Sequence, residues 1–142
     1  MTQAKRPLEI LLVEDDAADA HLTLEALRRS TVLNHAQHVW DGEMATQHLL
    51  DAVPDLVILD LNLPKKGGRE VLREIKSDPR LRSVPVVIFT TSTTEWEVRE
   101  AYEEFANCYV CKPVELDRYL ERVENMAQFW SEDCTLPAWS GG

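Results

Sequence analysis

The stretch ILLVEDDAAD, residues 10–19, places four apolar residues directly before three acidic ones. A short, continuous apolar run is typical of a strand buried on both faces of a sheet. The helical pattern that begins at Ala17 is preceded by Asp16, and Asp is a residue type that caps helix N-termini. The stretch therefore predicts a buried strand followed by a helix, with Glu14 and Asp15 at the end of the strand.

The same alternation of strand and helix continues along the chain. We predict strands at residues 8–13, 33–40, 55–61, 84–90 and 108–112, and helices at residues 17–29, 41–52, 68–79, 94–106 and 114–130. Helical connections between successive strands are characteristic of parallel sheets with helices on both faces. The sequence therefore predicts an α/β fold with a doubly wound, mostly parallel sheet of five strands.

Length and charge narrow the class of protein. The chain has 142 residues, the size of one domain, which we place at residues 1–130. Residues 131–142 would form a C-terminal tail with no separate output domain. No apolar run approaches the roughly 20 residues of a membrane helix, and no signal peptide is visible, so we expect a cytoplasmic protein. A net charge of −10 disfavours binding to nucleic acids or to anionic membranes.

Cys108 and Cys111 form a CxxC spacing, which occurs in redox and zinc sites. Both residues fall in a predicted strand, where positions three apart face opposite sides of the sheet. The sequence has no second CxxC and no histidine beside this one. We therefore interpret the two cysteines, together with Cys134, as reduced thiols.

The functional site of a doubly wound sheet lies beyond the carboxyl ends of its strands. Strands 1, 3, 4 and 5 are predicted to end in Glu14–Asp15, Asp60, Thr90 and Lys112. Two carboxylates about 4 Å apart repel each other by roughly 4 kcal/mol at an effective dielectric constant of about 20, so this acidic cluster needs positive charge. Lys112 supplies one charge. A hard divalent cation with oxygen ligands, Mg²⁺, can supply the rest.

Asp60, a carboxylate beside a metal and a lysine, can act as a nucleophile toward phosphorus and form an aspartyl phosphate. Phosphoryl transfer depends mainly on positioning and on neutralisation of charge. In this hypothesis Mg²⁺, Lys112 and the Thr90 hydroxyl each hold one phosphoryl oxygen. Each residue alone has an ordinary structural explanation, and it is their joint placement at the strand ends that favours a phosphoacceptor site.

Four segments resemble the motifs of the receiver domains of two-component response regulators: LLVED (11–15), VILDLNLPKKGG (57–68), VVIFTTS (86–92) and CYVCKP (108–113). The resemblance covers about residues 8–130 and implies a flavodoxin-like (βα)5 fold with strand order 2-1-3-4-5. It implies that Asp60 is the phosphoacceptor and that Lys112 assists it. It also implies that Thr90 and Tyr109 are switch residues, and that the Lys112–Pro113 peptide bond is commonly cis.

The resemblance also implies a set of metal ligands. Asp15 and Asp60 should bind Mg²⁺ directly, Glu14 should bind it through a water molecule, and Asn62 should offer its backbone carbonyl. Asp16 falls one place beyond the acidic pair, and we interpret it as a helix cap rather than a ligand.

A narrower resemblance concerns the segments 62–92, 107–113 and FWSEDCTLP (129–137). They are similar to the small regulators that are paired with phytochrome histidine kinases. This implies that a sensor histidine kinase, a bacteriophytochrome, donates a phosphoryl group to Asp60. The chain itself would be no enzyme apart from slow autodephosphorylation, and its surface of helix 4, strand 5 and helix 5 would change partners.

The last predicted helix carries two apolar stripes. The stripe expected to face the sheet consists of Leu116, Leu120, Val123 and Ala127. The second stripe consists of Tyr119, Met126 and Phe129, with Arg122 among them. Together with Trp96 of helix 4, this stripe predicts a partner surface. We expect a homodimer whose interface is formed by helix 4, strand 5, helix 5 and the C-terminal tail. The alternative is that the tail covers this stripe with Leu136, Pro137 and Trp139.

Two other classes of protein share parts of the pattern. A phosphohydrolase of the haloacid dehalogenase type also forms an aspartyl phosphate, but it carries an acid two residues after its nucleophile, where this chain has Asn62. A flavodoxin-like flavin binder needs a phosphate loop rich in Ser, Thr or Gly after strand 1. The acidic residues there repel phosphate unless a metal intervenes, so we favour the signalling receiver.

Overall fold

The computed structural model describes residues 6–137. Strands and helices alternate: β1 (Leu8–Val13), α1 (Ala17–Arg29), β2 (Asn34–Val39), α2 (Gly42–Asp51), β3 (Leu56–Leu59), α3 (Gly68–Ser77), β4 (Val86–Thr90), α4 (Glu95–Glu103), β5 (Cys108–Cys111) and α5 (Leu116–Gln128). Each predicted element is present, and differences from the prediction are confined to element ends. A single π-helical turn, Phe129–Asp133, continues α5 and was not predicted.

The five strands form one parallel sheet in the order β2-β1-β3-β4-β5, which confirms the predicted topology. Val13 at the end of β1 pairs with Val39 on one side and with Leu59 on the other, so these three strands end at the same level. The backbone NH of Asp60 donates to the Val13 carbonyl (3.1 Å). The register therefore brings Asp60 beside Glu14 at the carboxyl edge of the sheet.

Helices α1 and α5 pack on one face of the sheet, and α2, α3 and α4 pack on the other. The strands are apolar on both faces because both faces are covered, as expected for a parallel sheet between helices. The Asp16 side chain accepts a hydrogen bond from the Asp19 NH (2.9 Å) and so caps α1, as predicted. Within residues 6–137, no helix has both the length and the apolar character that crossing a bilayer requires.

Helix α4 has the smallest apolar contact with the core. Its one buried residue is Ala101. Polar contacts connect the helix and its C-cap residue Glu104 to α3 instead, through the ion pairs Arg69–Glu100 and Arg73–Glu104. The Arg69 guanidinium also lies 4.9 Å from the centroid of the exposed Trp96 ring. This helix is therefore attached to its neighbour mainly by charge.

The prediction for the orientation of α5 was wrong in part. Tyr119 and Met126, predicted to face outward, are buried, while Leu116, predicted to face the sheet, is 53% exposed. The buried face is instead formed by Tyr119, Val123, Met126 and Ala127, which are spaced as one side of a helix. Tyr119 can be buried because its ring packs against Phe89 and its hydroxyl bonds to the Thr23 hydroxyl (2.8 Å).

Within residues 131–137, the C-terminal tail packs against the same apolar cluster that contains Tyr119 and Met126 of the predicted second stripe. Leu136 packs with Trp130 against the apolar cluster between the sheet and helices α1 and α5. Phe129 stays exposed at the end of α5. Trp139, which the alternative prediction also used, lies outside the described residues.

Residues 6–137 include no cis peptide bond, and the bond between Lys112 and Pro113 is accordingly trans. The cis form implied by the resemblance is therefore wrong for this structure. Trans is the ordinary state of an X–Pro bond, which favours it by about 0.5–1 kcal/mol.

Candidate functional site

Three carboxylates meet where β1 and β3 end. Oxygen atoms of Glu14, Asp15 and Asp60 lie within 4.8 Å of one another. Glu14 and Asp60 are buried, whereas Asp15 is exposed on the next residue of the chain. The predicted convergence of acidic residues is therefore present, with two carboxylates inside the protein and one that faces the solvent.

Lys112 lies inside this group of acids. Its ammonium donates to Glu14 Oε1 (2.6 Å), Asp60 Oδ2 (2.7 Å) and Asp19 Oδ2 (2.8 Å), so each of its three N–H groups has a carboxylate partner. The side chain comes from the end of β5, where the Lys112 NH donates to the Thr90 carbonyl (2.7 Å). Asp19 was not predicted as a site residue. Its position one helical turn after the Asp16 cap was the available signal, because the first turn of α1 follows the acidic strand end.

The second oxygen of Asp60 has partners of its own. The Thr90 hydroxyl and the Asn62 backbone NH both donate to Asp60 Oδ1, each at 3.0 Å. Thr90 is fully buried at the end of β4, which is next to β3 in the sheet. Both oxygens of Asp60 are therefore oriented by donors that come from three different strand ends.

Burial governs the proton affinities in the cluster. It raises the pKa of Glu14 to about 7, and the Lys112 ammonium, which lowers that pKa, does not fully oppose it. Burial also lowers the pKa of Lys112, but its bonds to Asp19, Asp60 and Glu14 outweigh burial and hold this pKa above its ordinary value. Lys112 is thus charged at neutral pH, while Glu14 gains and loses its proton near neutrality.

The donor set fits a hard divalent cation. Glu14, Asp15 and Asp60 offer only oxygen atoms, and one Lys112 charge cannot neutralise three carboxylates. Asp15 is exposed, which leaves a path for a hydrated cation from the solvent. The role of the Asn62 backbone carbonyl as a ligand, two residues after Asp60, stays a prediction.

Tyr109 lies beside the cluster rather than in it. Its hydroxyl donates to the Ser92 carbonyl (2.8 Å), and its backbone NH donates to the Tyr102 hydroxyl (3.0 Å). The ring is partly buried against the apolar residues between the sheet and helices α2–α4. Its role as a switch residue stays a prediction.

An aromatic pair that was not predicted flanks the acids at the end of β2. The rings of His38 and Trp40 pack with their centroids 4.2 Å apart and their planes tilted by 53°. His38 Nε2 donates to the Glu14 carbonyl (2.8 Å). Trp40 is 44% exposed. Because it packs on His38, which bonds to Glu14, the fluorescence of Trp40 can report on changes at the acidic cluster.

Gly68, the first residue of α3, touches the backbone of the Asp60 segment. A Cβ atom at this position would lie 2.3 Å from the Asp60 carbonyl oxygen and 2.7 Å from Leu61 Cα. The Gly68 NH donates to the Leu61 carbonyl (3.2 Å). The preceding residue, Gly67, has open space where its Cβ would be. Gly68 alone of these two therefore fixes how closely α3 approaches Asp60.

Comparison with known proteins gives consistent results. A sequence model described as "Response regulator receiver domain" matches residues 10–124. Response regulator Rcp1 of Synechocystis sp. is 43% identical over 143 residues, covering 96% of this chain and 97% of that protein.

Two solved structures extend this similarity to three dimensions. The phosphorylated cyanobacterial phytochrome response regulator RcpA is 43% identical with a TM-score of 0.90, over 94% of this chain and 100% of that one. The Mn²⁺-bound form of Rcp1 is 44% identical with a TM-score of 0.88, over 93% of this chain and 100% of that one.

Proposed function

Because the chain belongs to the response regulator receiver domain family, we propose that Asp60 accepts a phosphoryl group from the phosphohistidine of a sensor histidine kinase. The observation that carries this proposal is the contact of both Asp60 oxygens with Lys112 and Thr90. These two donors come from two other strand ends and meet Asp60 beside Glu14 and Asp15, in a group of acids that could hold a metal ion. A phosphoacceptor needs donors that can follow the charge from the carboxylate to the new phosphoryl oxygens.

In the proposed reaction, a carboxylate oxygen of Asp60 attacks phosphorus and the P–N bond to the donor histidine breaks. The Lys112 ammonium and the Thr90 hydroxyl, which now donate to Asp60, turn to two of the phosphoryl oxygens. We propose Mg²⁺ as the resident cation, held by Asp15, by Asp60, by Glu14 through water and by the Asn62 carbonyl. When bound, it neutralises negative charge at the acceptor.

We further propose that the phosphoryl group changes the surface formed by α4, β5 and α5. Movement of the Thr90 hydroxyl toward the new group would free space near Tyr109, whose hydroxyl is bonded to the loop after β4. In this proposal the protein has two conformations of the α4–β5–α5 surface, and the negative charge of the phosphoryl group on Asp60 shifts the equilibrium between them. The weak apolar attachment of α4 supports its participation.

The proposed donor kinase is a bacteriophytochrome. Support comes from the similarity of this chain to RcpA, a cyanobacterial phytochrome response regulator. We propose that this chain is a signalling protein whose output is binding, with no catalytic activity beyond slow loss of its own phosphoryl group. The cytoplasmic location expected from the sequence stays a prediction.

Beryllofluoride, a phosphoryl mimic, tests the proposal. We expect a saturable change in tryptophan fluorescence, to which Trp40 contributes, and in amide NMR signals around Asp60. The change should require Mg²⁺. Absence of any change in Mg²⁺ buffer would refute phosphoryl acceptance while leaving the fold assignment intact.

Asp15→Asn is expected to weaken Mg²⁺ binding about 10- to 100-fold, because the variant loses a ligand charge close to the cation. Asp15 is exposed, so folding should be unaffected. The matched control is Asp16→Asn, an exposed neighbour whose replacement still caps α1. Isothermal titration with Mg²⁺ measures both, and equal affinities in the two variants would contradict the role of Asp15.

Mg²⁺ affinity is expected to fall as the pH is lowered from about 8 to about 6. Burial raises the pKa of Glu14 to about 7, so below this value the cation must displace a proton. The limiting slope is about tenfold per pH unit. Glu14→Gln, which cannot titrate, should flatten the profile. Equal parent affinities at the two pH values would contradict the prediction.

We propose a homodimer through the α4–β5–α5 surface and the C-terminal tail. Although Tyr119 and Met126 are buried, this side of the molecule exposes other large apolar residues, namely Trp96, Tyr102, Phe105, Val114 and Leu116. We expect sedimentation at micromolar concentration to detect a dimer that strengthens with beryllofluoride. A monomer under both conditions would count against the dimer, and Leu116→Glu should weaken a true one.

A further inference from the structure

Asp19 makes a contact with the phosphoacceptor site that the proposed chemistry does not use. Its carboxylate accepts from Lys112 Nζ at 2.8 Å, in a geometry as close as that of the other two partners. The Asp19 side chain is 28% exposed, so it closes the site on the side of α1. Lys112 is therefore held by two carboxylates at strand ends and by a third on a helix.

Asp19 differs from the other partners of Lys112. Glu14 and Asp60 belong to the group of carboxylates whose oxygens can share a cation, and Asp19 lies outside that group. A bound cation would draw on Glu14 and Asp60 and would repel the Lys112 ammonium. Asp19 is then the one of the three carboxylates that still interacts with Lys112 alone.

The turn that carries Asp19 is fixed on both sides. Its NH donates to the Asp16 cap (2.9 Å), and its carbonyl accepts from the Tyr119 hydroxyl (3.2 Å). Tyr119 is buried and also bonds to the Thr23 hydroxyl (2.8 Å). The carboxylate of Asp19 thus projects from a backbone that is anchored to α5.

We infer that Asp19 is a positioning residue, which holds the Lys112 ammonium at the acceptor when Glu14 and Asp60 are engaged by a cation. The inference rests on the proposed phosphoryl acceptance at Asp60. Without Asp19, Lys112 must be ordered each time a phosphoryl group or its mimic binds, and this ordering lowers the affinity.

The test compares Asp19→Asn with Asp51→Asn, which removes the same charge from an exposed site at the end of α2. At saturating Mg²⁺, Asp19→Asn should weaken beryllofluoride binding about tenfold. We expect a smaller loss of affinity than for a fully buried charged hydrogen bond, because Asp19 is partly exposed. Asp51→Asn should match the parent. In the metal-free protein, the Lys112 ammonium signal in ¹⁵N NMR should broaden in Asp19→Asn only.

Asp19→Glu keeps a carboxylate at this position and so distinguishes a role of the charge from a role of the residue in the helix turn. This variant should recover most of the lost beryllofluoride affinity and the sharp ammonium signal. Equal losses in Asp19→Asn and Asp19→Glu would overturn the inference, as would an Asp19→Asn variant that behaves like Asp51→Asn. A parent protein that fails to bind beryllofluoride would instead refute the proposed function. Thermal unfolding of each variant verifies that the fold is intact.

Discussion

Asp60→Asn is expected to abolish phosphoryl transfer from a phosphorylated histidine kinase and to remove the beryllofluoride response completely. The amide has no nucleophilic oxygen anion, and it turns an N–H group or a weaker acceptor toward the Lys112 ammonium. Folding should survive, because the Asn oxygen can still accept from Thr90 and from the Asn62 NH. We expect the free energy of unfolding to change by less than about 1 kcal/mol, since one hydrogen bond is lost and one repelling charge is removed.

Incorporation of labelled phosphate measures the first effect, and denaturant unfolding measures the second. Asp55→Asn is an unsuitable control because Asp55 is buried in an ion pair with Arg6. Asp51→Asn, at an exposed site, is the better one. Retained phosphorylation in Asp60→Asn would show that another residue accepts the group, whereas an unfolded variant would show that Asp60 has a structural role.

Gly68→Ala is expected to lower the free energy of unfolding by about 2–3 kcal/mol, the upper range for overpacking of a tight contact. The added methyl group would lie 2.3 Å from the Asp60 carbonyl oxygen, and this neighbour is backbone that cannot rotate away. Either α3 moves outward or the Asp60 segment shifts. Beryllofluoride affinity should fall as well, because the acceptor no longer aligns with Lys112 and Thr90.

The adjacent Gly67→Ala provides the control, since nothing lies within 4 Å of its added methyl group. We expect its stability to stay within about 0.5 kcal/mol of the parent protein. Denaturant unfolding and beryllofluoride titration of the pair give the comparison. Equal stability of Gly67→Ala and Gly68→Ala would mean that the close approach of α3 to Asp60 carries no constraint.

The strand ends were predictable because apolar runs stop abruptly at charged or polar residues. Glu14, Asp60, Thr90 and Lys112 each follow such a run, and parallel strands necessarily bring their carboxyl ends to one edge. Sequence reasoning could therefore assemble most of the site without knowledge of the strand order. The order itself came from the resemblance to a family.

Helix orientation was less predictable, because it depends on which of two neighbouring apolar stripes meets the sheet. Tyr119 can face either way, since its ring is apolar and its hydroxyl is polar. The Thr23 hydroxyl that bonds to Tyr119 in its buried position lies 96 residues earlier in the chain. Asp19 was missed for a related reason: its partner Lys112 is 93 residues away, and an acid in the first turn of a helix is ordinary in itself.

Helix α4, with Ala101 as its one buried side chain and ion pairs to α3, has a consequence for local stability. Segments with little buried apolar surface open at a lower free energy than the core around them, and their amides exchange with solvent sooner. Ion pairs at such a surface weaken as ionic strength rises. The helix can thus loosen from the body of the protein without disturbing the sheet. If α4 belongs to the proposed partner surface, the energetic cost of reshaping that surface depends on the salt content of its surroundings.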